Sequence, residues 1–166
     1  MELPLFIDYE ASSLHEGSYP IEVGVAMADG SSLSWLIRPE PGWNDWDPVS
    51  ESVHKIPLAL LQREGRGARE VAYELNARFA RKVLYCDGLP YDSYWQQRLF
   101  EAAGFSAAFE LRSVASLLDP AQRACWQAVR DAIAASEAVV LHRADNDARL
   151  LQQTWRRLRA QRGRAY

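Results

Sequence analysis

The sequence predicts an α/β fold: a central mixed sheet of five to six strands, the first three antiparallel, flanked by helices. Three observations carry that expectation. Apolar runs follow one another over residues 3 to 39, with connections too short for anything but antiparallel pairing. From residue 68 onward, stretches of helical periodicity alternate with short apolar runs, which require crossovers. The chain has 166 residues, 48% of them hydrophobic, enough for one sizeable core, and reads as a single domain over 1–166.

The opening strands are "LPLFIDYE", "IEVGVAMA" and "SLSWLIRP", with Asp29-Gly30 turning the second into the third. Residues 39–52, "PEPGWNDWDPVSES", read as an irregular loop anchored by Trp43 and Trp46. A helix follows from about Ala68 to Lys82, with Val71, Ala72, Leu75 and Phe79 on one face. "KVLYCD" is a short strand, residues 91–103 a helix, and "AFELRSVASLL" opens as a strand. Residues 120–135 are helical, "EAVVLH" reads as a last strand, and a helix runs from about Arg143 to Arg159.

Charge and composition exclude several classes. A net charge of −3 is not that of a generic basic nucleic-acid coat, although bound cations could supply local positive charge. Cys86 and Cys125 lie in apolar surroundings without zinc-site or disulfide spacing, as reduced thiols of a cytoplasmic protein would. The amino terminus lacks a basic start, and no run approaches the ~20 apolar residues of a membrane span. Arginines 156, 157, 159, 162 and 164 read as a solvated helix face ending in a frayed tail.

The chemistry is concentrated in the acids. In "LFIDYEASSL", Asp8 and Glu10 share a strand face with Phe6, while Leu5, Ile7 and Tyr9 line the other. Two carboxylates ~6 to 7 Å apart repel by roughly 2 to 3 kcal/mol at an effective dielectric near 20. A divalent cation or water between them relieves that repulsion. Asp92, in "CDGLPYDSYW", opens a helix after a short strand, where Asp87 competes for the same role. In "HRADND", His142 and Asp147 are five residues apart, and on one helix they diverge by ~140°. They converge only if His142 stands in the loop and Asp147 in the first turns of the helix.

Together these residues resemble the DEDDh family of 3′→5′ exonucleases (DnaQ-like and RNase T-like), within the ribonuclease H-like fold. "DYE" matches its first-strand Asp-x-Glu, "IEVGVA" its apolar-Glu-apolar-Gly run, "YDSYW" its middle Asp motif, and "HRADND" its His-x-Ala-x-x-Asp. The middle match selects Asp92 over Asp87. Departures are Ala11-Ser12-Ser13 where the family often has Thr-Thr-Gly, and "SVHKIP" with Lys55 in place of a glycine.

The resemblance implies that Asp8, Glu10, Asp92 and Asp147 hold two divalent ions, Mg²⁺ or Mn²⁺ rather than zinc. It makes His142 the general base that deprotonates the attacking water, with release of a 5′-mononucleotide. It places Ala11, Ser12, Ser13 and Leu14 against the terminal nucleotide. The implied partner is a single-stranded DNA or RNA 3′ end, with no membrane, and a homodimer stays open. The alternative is a catalytically inactive nucleic-acid-binding or protein-docking module on the same fold. A phosphatase with a strand-end Asp nucleophile lacks its Lys and companion acids here.

Overall fold

The computed structural model describes residues 2–162, the side chain of Arg162 excepted. Its strands are β1 (Leu5–Ala11), β2 (Pro20–Ala26), β3 (Ser32–Leu36), β4 (Val83–Cys86) and β5 (Glu110–Ser113). Its helices are α1 (Pro48–His54), α2 (Leu58–Glu64), α3 (Ala68–Phe79), α4 (Leu89–Ala103), α5 (Pro120–Ser136) and α6 (Ala144–Arg162), with a 3₁₀ turn at Val114–Leu117. The strands form one mixed sheet in the order β3-β2-β1-β4-β5. β1 is antiparallel to β2, β2 to β3, and β1, β4 and β5 run parallel. The α/β architecture expected from the sequence is present, with five strands.

The sixth expected strand does not form. Residues 137–142 are a loop, in which Ala138 (φ 48°) and His142 (φ 62°) adopt left-handed backbone that a strand cannot accommodate. The run "AVVL" looked strand-like because it is apolar, yet Val140 is exposed. The stretch 39–52 is also less irregular than expected, since α1 starts inside it. Asp47 accepts hydrogen bonds from the Val49 and Ser50 amides and Pro48 sits in the first turn, a strong start for a helix too short to show periodicity. Trp43 and Trp46 do anchor this loop, by stacking on Tyr19 and by donating to Glu51. α3 stops at Phe79 because Arg81 is left-handed (φ 63°). Cys86 is buried as expected, whereas Cys125 is exposed on α5.

Alternation along β1 sorts the core into two layers. Leu5, Ile7 and Tyr9 join Val23 and Val25 beneath α3 and α4. Phe6 and Ala26 lie on the other face beneath α6, against Ala148, Leu151, Trp155 and Leu158. That second set recurs every three or four residues, the period of a single helical stripe. α5 lies outside α6 and contributes only half-buried Trp126 and Val129 to this layer.

The amino end of α6 is placed by β2. At Gly24 an added Cβ would lie 2.1 Å from the Ala144 carbonyl carbon, so only glycine lets the helix come this close. Beside it, fully buried Glu22 accepts hydrogen bonds from the Ala144 amide (3.0 Å) and from Arg143 Nε (3.0 Å) and Nη2 (2.7 Å). The carboxylate thus caps the free amides and positive end of α6. Gly24→Ala is expected to destabilise the fold by roughly 3 kcal/mol or more. Gly67→Ala, where an added Cβ meets nothing within 4 Å, should melt near wild type. Parallel melting curves check both; equal melting temperatures would contradict this account of the contact.

Candidate active site

Asp8 and Glu10 project from the α6 face of β1, opposite Gly24 and Glu22 of β2. The register shifts between Glu10 and Ala11, a bulge that bends the strand just past the second acid. Asp92 arrives from the other flank. β4 pairs with β1 only at Leu5 and Phe6, so the edge of β1 beyond them is left without a strand. The carboxylate of Asp92, in the first turn of α4 and 3% exposed, fills that gap with backbone hydrogen bonds from Tyr9 and Gly88. Gly88 permits the fold-back, since a Cβ there would lie 3.2 Å from Asp92 Oδ2. Asp87 adds its charge to the cluster, raising Asp8, Asp92 and Asp147, while its Oδ2 lies 3.8 Å from Arg130 Nε.

Asp147 lies in the first turns of α6 and His142 in the loop ahead of it. The His142 amide donates to Asp147 Oδ2 at 2.7 Å, which holds the loop in its left-handed turn. Ligand atoms of Glu10, His142 and Asp147 all fall within 4.8 Å of one another. The arrangement that lets His142 and Asp147 converge is therefore the one observed.

Burial governs the electrostatics. It raises Asp8 well above the carboxylate range, helped by the charges of Asp92, Glu10 and Asp147. Burial, followed by the charges of Asp147 and Glu22, pushes Glu10 up to about 8. Burial also raises Asp92 to about 7, and Asp147 in the same direction. Burial is the main cause of each rise, and the positive charge that reaches Glu10 from Arg143 and Asp147 from Arg130 does not offset it. Asp147 Oδ1 is moreover buried without any hydrogen-bond partner. Oxygen donors, an orphaned lone pair and a deficit of cationic charge together fit a hard divalent cation.

A cleft of about 450 Å³ opens beside the acids, reaching from Glu10 and His142 to His15 and Trp95. Its lips are apolar: Leu14 and Val49 are each 70% exposed, and Val53 stands one turn along α1. Ala11 and Ser13 also line it. Ser12 is turned inward, its hydroxyl accepting from the Tyr19 amide at 3.0 Å. The Ser13 hydroxyl donates to Asp45, fastening this loop to the segment before α1.

Sequence reasoning passed over several residues that shape the site. Glu22, Gly24 and Arg143 place α6, and only the "IEVGVA" pattern hinted at the first two. His54 is buried at the rear of the cleft, where its Nδ1 accepts from the Ile56 amide (3.0 Å) and its Nε2 has no partner. Lys55 next to it has φ 58°, the backbone that explains why a glycine occurs in the segment it resembles. Of the carboxyl-terminal arginines, 156, 157 and 159 lie on the exposed face of α6, while the side chain of Arg162 and all of Arg164 fall outside the described residues.

No protein-family model matches the sequence, and neither does any curated protein. Solved structures match the fold. The zinc-bound E. coli exonuclease I–single-stranded DNA complex aligns over 99% of this chain and 42% of that one, with TM-score 0.77 and 13% identity. Its complex with a dT13 oligonucleotide aligns over the same shares with TM-score 0.74 and 13% identity. Apo exonuclease I covers 95% of this chain and 43% of its own, with TM-score 0.66 and 14% identity. The chain thus has the α/β fold of the matched part of exonuclease I, and spans about two fifths of the exonuclease I chain. Among the described residues no helix is long and apolar enough to cross a membrane.

The raised acids fix the sign of a pH effect. Glu10 and Asp92 bind protons in the folded state, up to about 8 and about 7, that an unfolded chain releases near the ordinary values of 4.5 and 3.8. Stability from these groups is full below the unfolded values and is lost as pH rises through the folded ones. In EDTA the melting temperature is expected to fall by roughly 5 °C or more between about pH 5 and pH 8. Millimolar Mg²⁺ or Mn²⁺ should flatten the fall. A curve in EDTA that rises over this interval would show that the acids are not crowded.

Proposed function

We propose that this chain is a metal-dependent 3′→5′ exonuclease that releases 5′-mononucleotides from single-stranded DNA or RNA ends. The observation that carries the reading is convergence. Glu10, His142 and Asp147 come within 4.8 Å of one another beside an apolar-lipped cleft, and the buried carboxyl of Asp8 feels the charges of Asp92, Glu10 and Asp147. Likeness to exonuclease I in complex with single-stranded DNA supports it.

Asp8, Glu10, Asp92 and Asp147 would hold two divalent ions, Mg²⁺ or Mn²⁺, which when bound acidify a water and offset the charge of the leaving 3′ oxygen. His142 takes the proton from the attacking water at a ring nitrogen, its backbone steadied by Asp147. Leu14, Val49 and Val53 exclude water around the terminal base and grip it by contact alone. Ala11, Ser12 and Ser13 form the wall along which the terminal nucleotide lies; with its hydroxyl turned inward, Ser12 meets it through the backbone. On this reading residues 1–166 constitute an exonuclease domain, acting in the cytoplasm as a monomer or a homodimer.

The test is a time course on 5′-labelled DNA and RNA oligonucleotides in Mg²⁺, Mn²⁺ or EDTA. A metal-dependent ladder shortening from the 3′ end is expected. Asp8→Asn should reduce release by roughly a hundredfold or more, through lost metal binding. Since it removes a buried, crowded charge, it should also melt no lower than wild type in EDTA. Near-normal release by Asp8→Asn would sink the assignment. Tight oligonucleotide binding without turnover in either metal would favour the docking module instead.

A further inference from the structure

One cation stands at the acidic cluster without a settled partner. Arg130 comes from the middle of α5, a helix with no fully buried residue of its own. Its guanidinium reaches the end of β4, where Nε lies 3.8 Å from Asp87 Oδ2, beyond hydrogen-bond length. That Nε is buried and has no hydrogen-bond acceptor. Its charge also acts on Asp147, lowering the carboxyl against the larger rise from burial. A buried N–H donor left without an acceptor is unfavourable, and a fold tolerates it where an acceptor arrives from outside.

The chemistry of that acceptor is constrained. A guanidinium presents a planar fork matched to carboxylate or phosphate oxygens. The neighbouring carboxylates do not supply it: Asp147 Oδ2 takes the His142 amide, its unpartnered Oδ1 makes no hydrogen bond to Arg130 Nε, and Asp92 takes backbone hydrogen bonds from Tyr9 and Gly88. Arg112, the nearest arginine on β5, is itself committed to Glu110. Resting on the exonuclease reading, we propose that Arg130 binds a non-bridging oxygen of the substrate's phosphodiester backbone beside the metal-binding acids. Asp87 holds the guanidinium in reserve until that phosphate arrives. This assigns a substrate-binding role to α5.

The experiment measures binding of fluorescent dT5 in Ca²⁺, with EDTA as control, by anisotropy across a salt series. Three proteins are compared: wild type, Arg130→Gln and Asp87→Asn. Arg130→Gln should weaken binding roughly tenfold or more, the scale of one charged hydrogen bond. It should also make the slope of log K against log salt shallower by about 0.7, one phosphate contact on a single strand. Asp87→Asn should bind as tightly as wild type or tighter, because it releases the guanidinium. Arg130→Lys should recover most of the salt slope and only part of the affinity.

If Arg130 and Asp87 were merely a structural ion pair, both variants would lose affinity together and the slope would not move; that result overturns the inference. An Arg130→Gln slope equal to wild type overturns it as well, while leaving the exonuclease reading intact. Wild-type protein that neither binds dT5 nor shortens an oligonucleotide overturns both. Melting curves of each variant separate lost binding from lost fold.

Discussion

Everything in this site depends on seating the first turn of α6 on the middle of β2. Gly24 makes the approach sterically feasible, and Glu22 makes it electrostatically favourable by satisfying Arg143 and the Ala144 amide with one fully buried carboxylate. Asp147 and His142 are carried to Glu10 by that contact. Glu22 faces Glu10 across the strands, so the clamp also sets a carboxylate already paired with arginine beside one that is not. Two glutamates at matched positions have opposite fates because one meets a helix end and a guanidinium while the other meets more acid.

The arrangement stores electrostatic tension, and packing of the two hydrophobic layers opposes it. Asp8 and Glu10 cannot relax away, because Phe6 and Ile7 on the same strand are completely buried in opposite layers. Asp92 is held by the backbone of β1 and α4, and Asp147 by the His142 amide. The acids therefore respond to crowding by binding protons rather than by moving apart. On the proposed reading, such a site would exchange protons for divalent cations, because either restores charge balance.

Much of this was legible in the residues. The two-residue spacing of Asp8 and Glu10 placed them on the Phe6 face, since a strand offers only two faces. The geometry of His142 and Asp147 followed from the helical period, which permits convergence in one arrangement alone. The missing sixth strand was not legible, because "EAVVLH" satisfies a strand's composition, and the left-handed backbone at Ala138 and His142 leaves no mark on it. α1 and α2 are seven residues each, too short for a periodic signal, and the clue to α1 was its Asp-Pro cap. Arg130 carried no signal, since its meaning lies in what the end of β4 places opposite it.

The cleft's inventory bears on what the proposed enzyme would read. Several of its polar side chains are occupied within the protein, while the unpartnered Tyr9 hydroxyl and His54 Nε2 are buried. Asp47 caps α1 and takes the Ser50 hydroxyl, the Ser13 hydroxyl is spent on Asp45, and His15 Nδ1 turns to the same carboxylate at 3.3 Å. What remains facing the cavity is the apolar surface of Leu14, Val49 and Val53. Base edges are distinguished by hydrogen bonds, whereas every base has a face that apolar side chains can contact. On the proposed reading, a lip of this kind would grip a nucleotide by contact with its face rather than by its edge. That tolerance would follow from the same economy that holds the loop in place: the groups that could have read sequence are the ones fastening the walls.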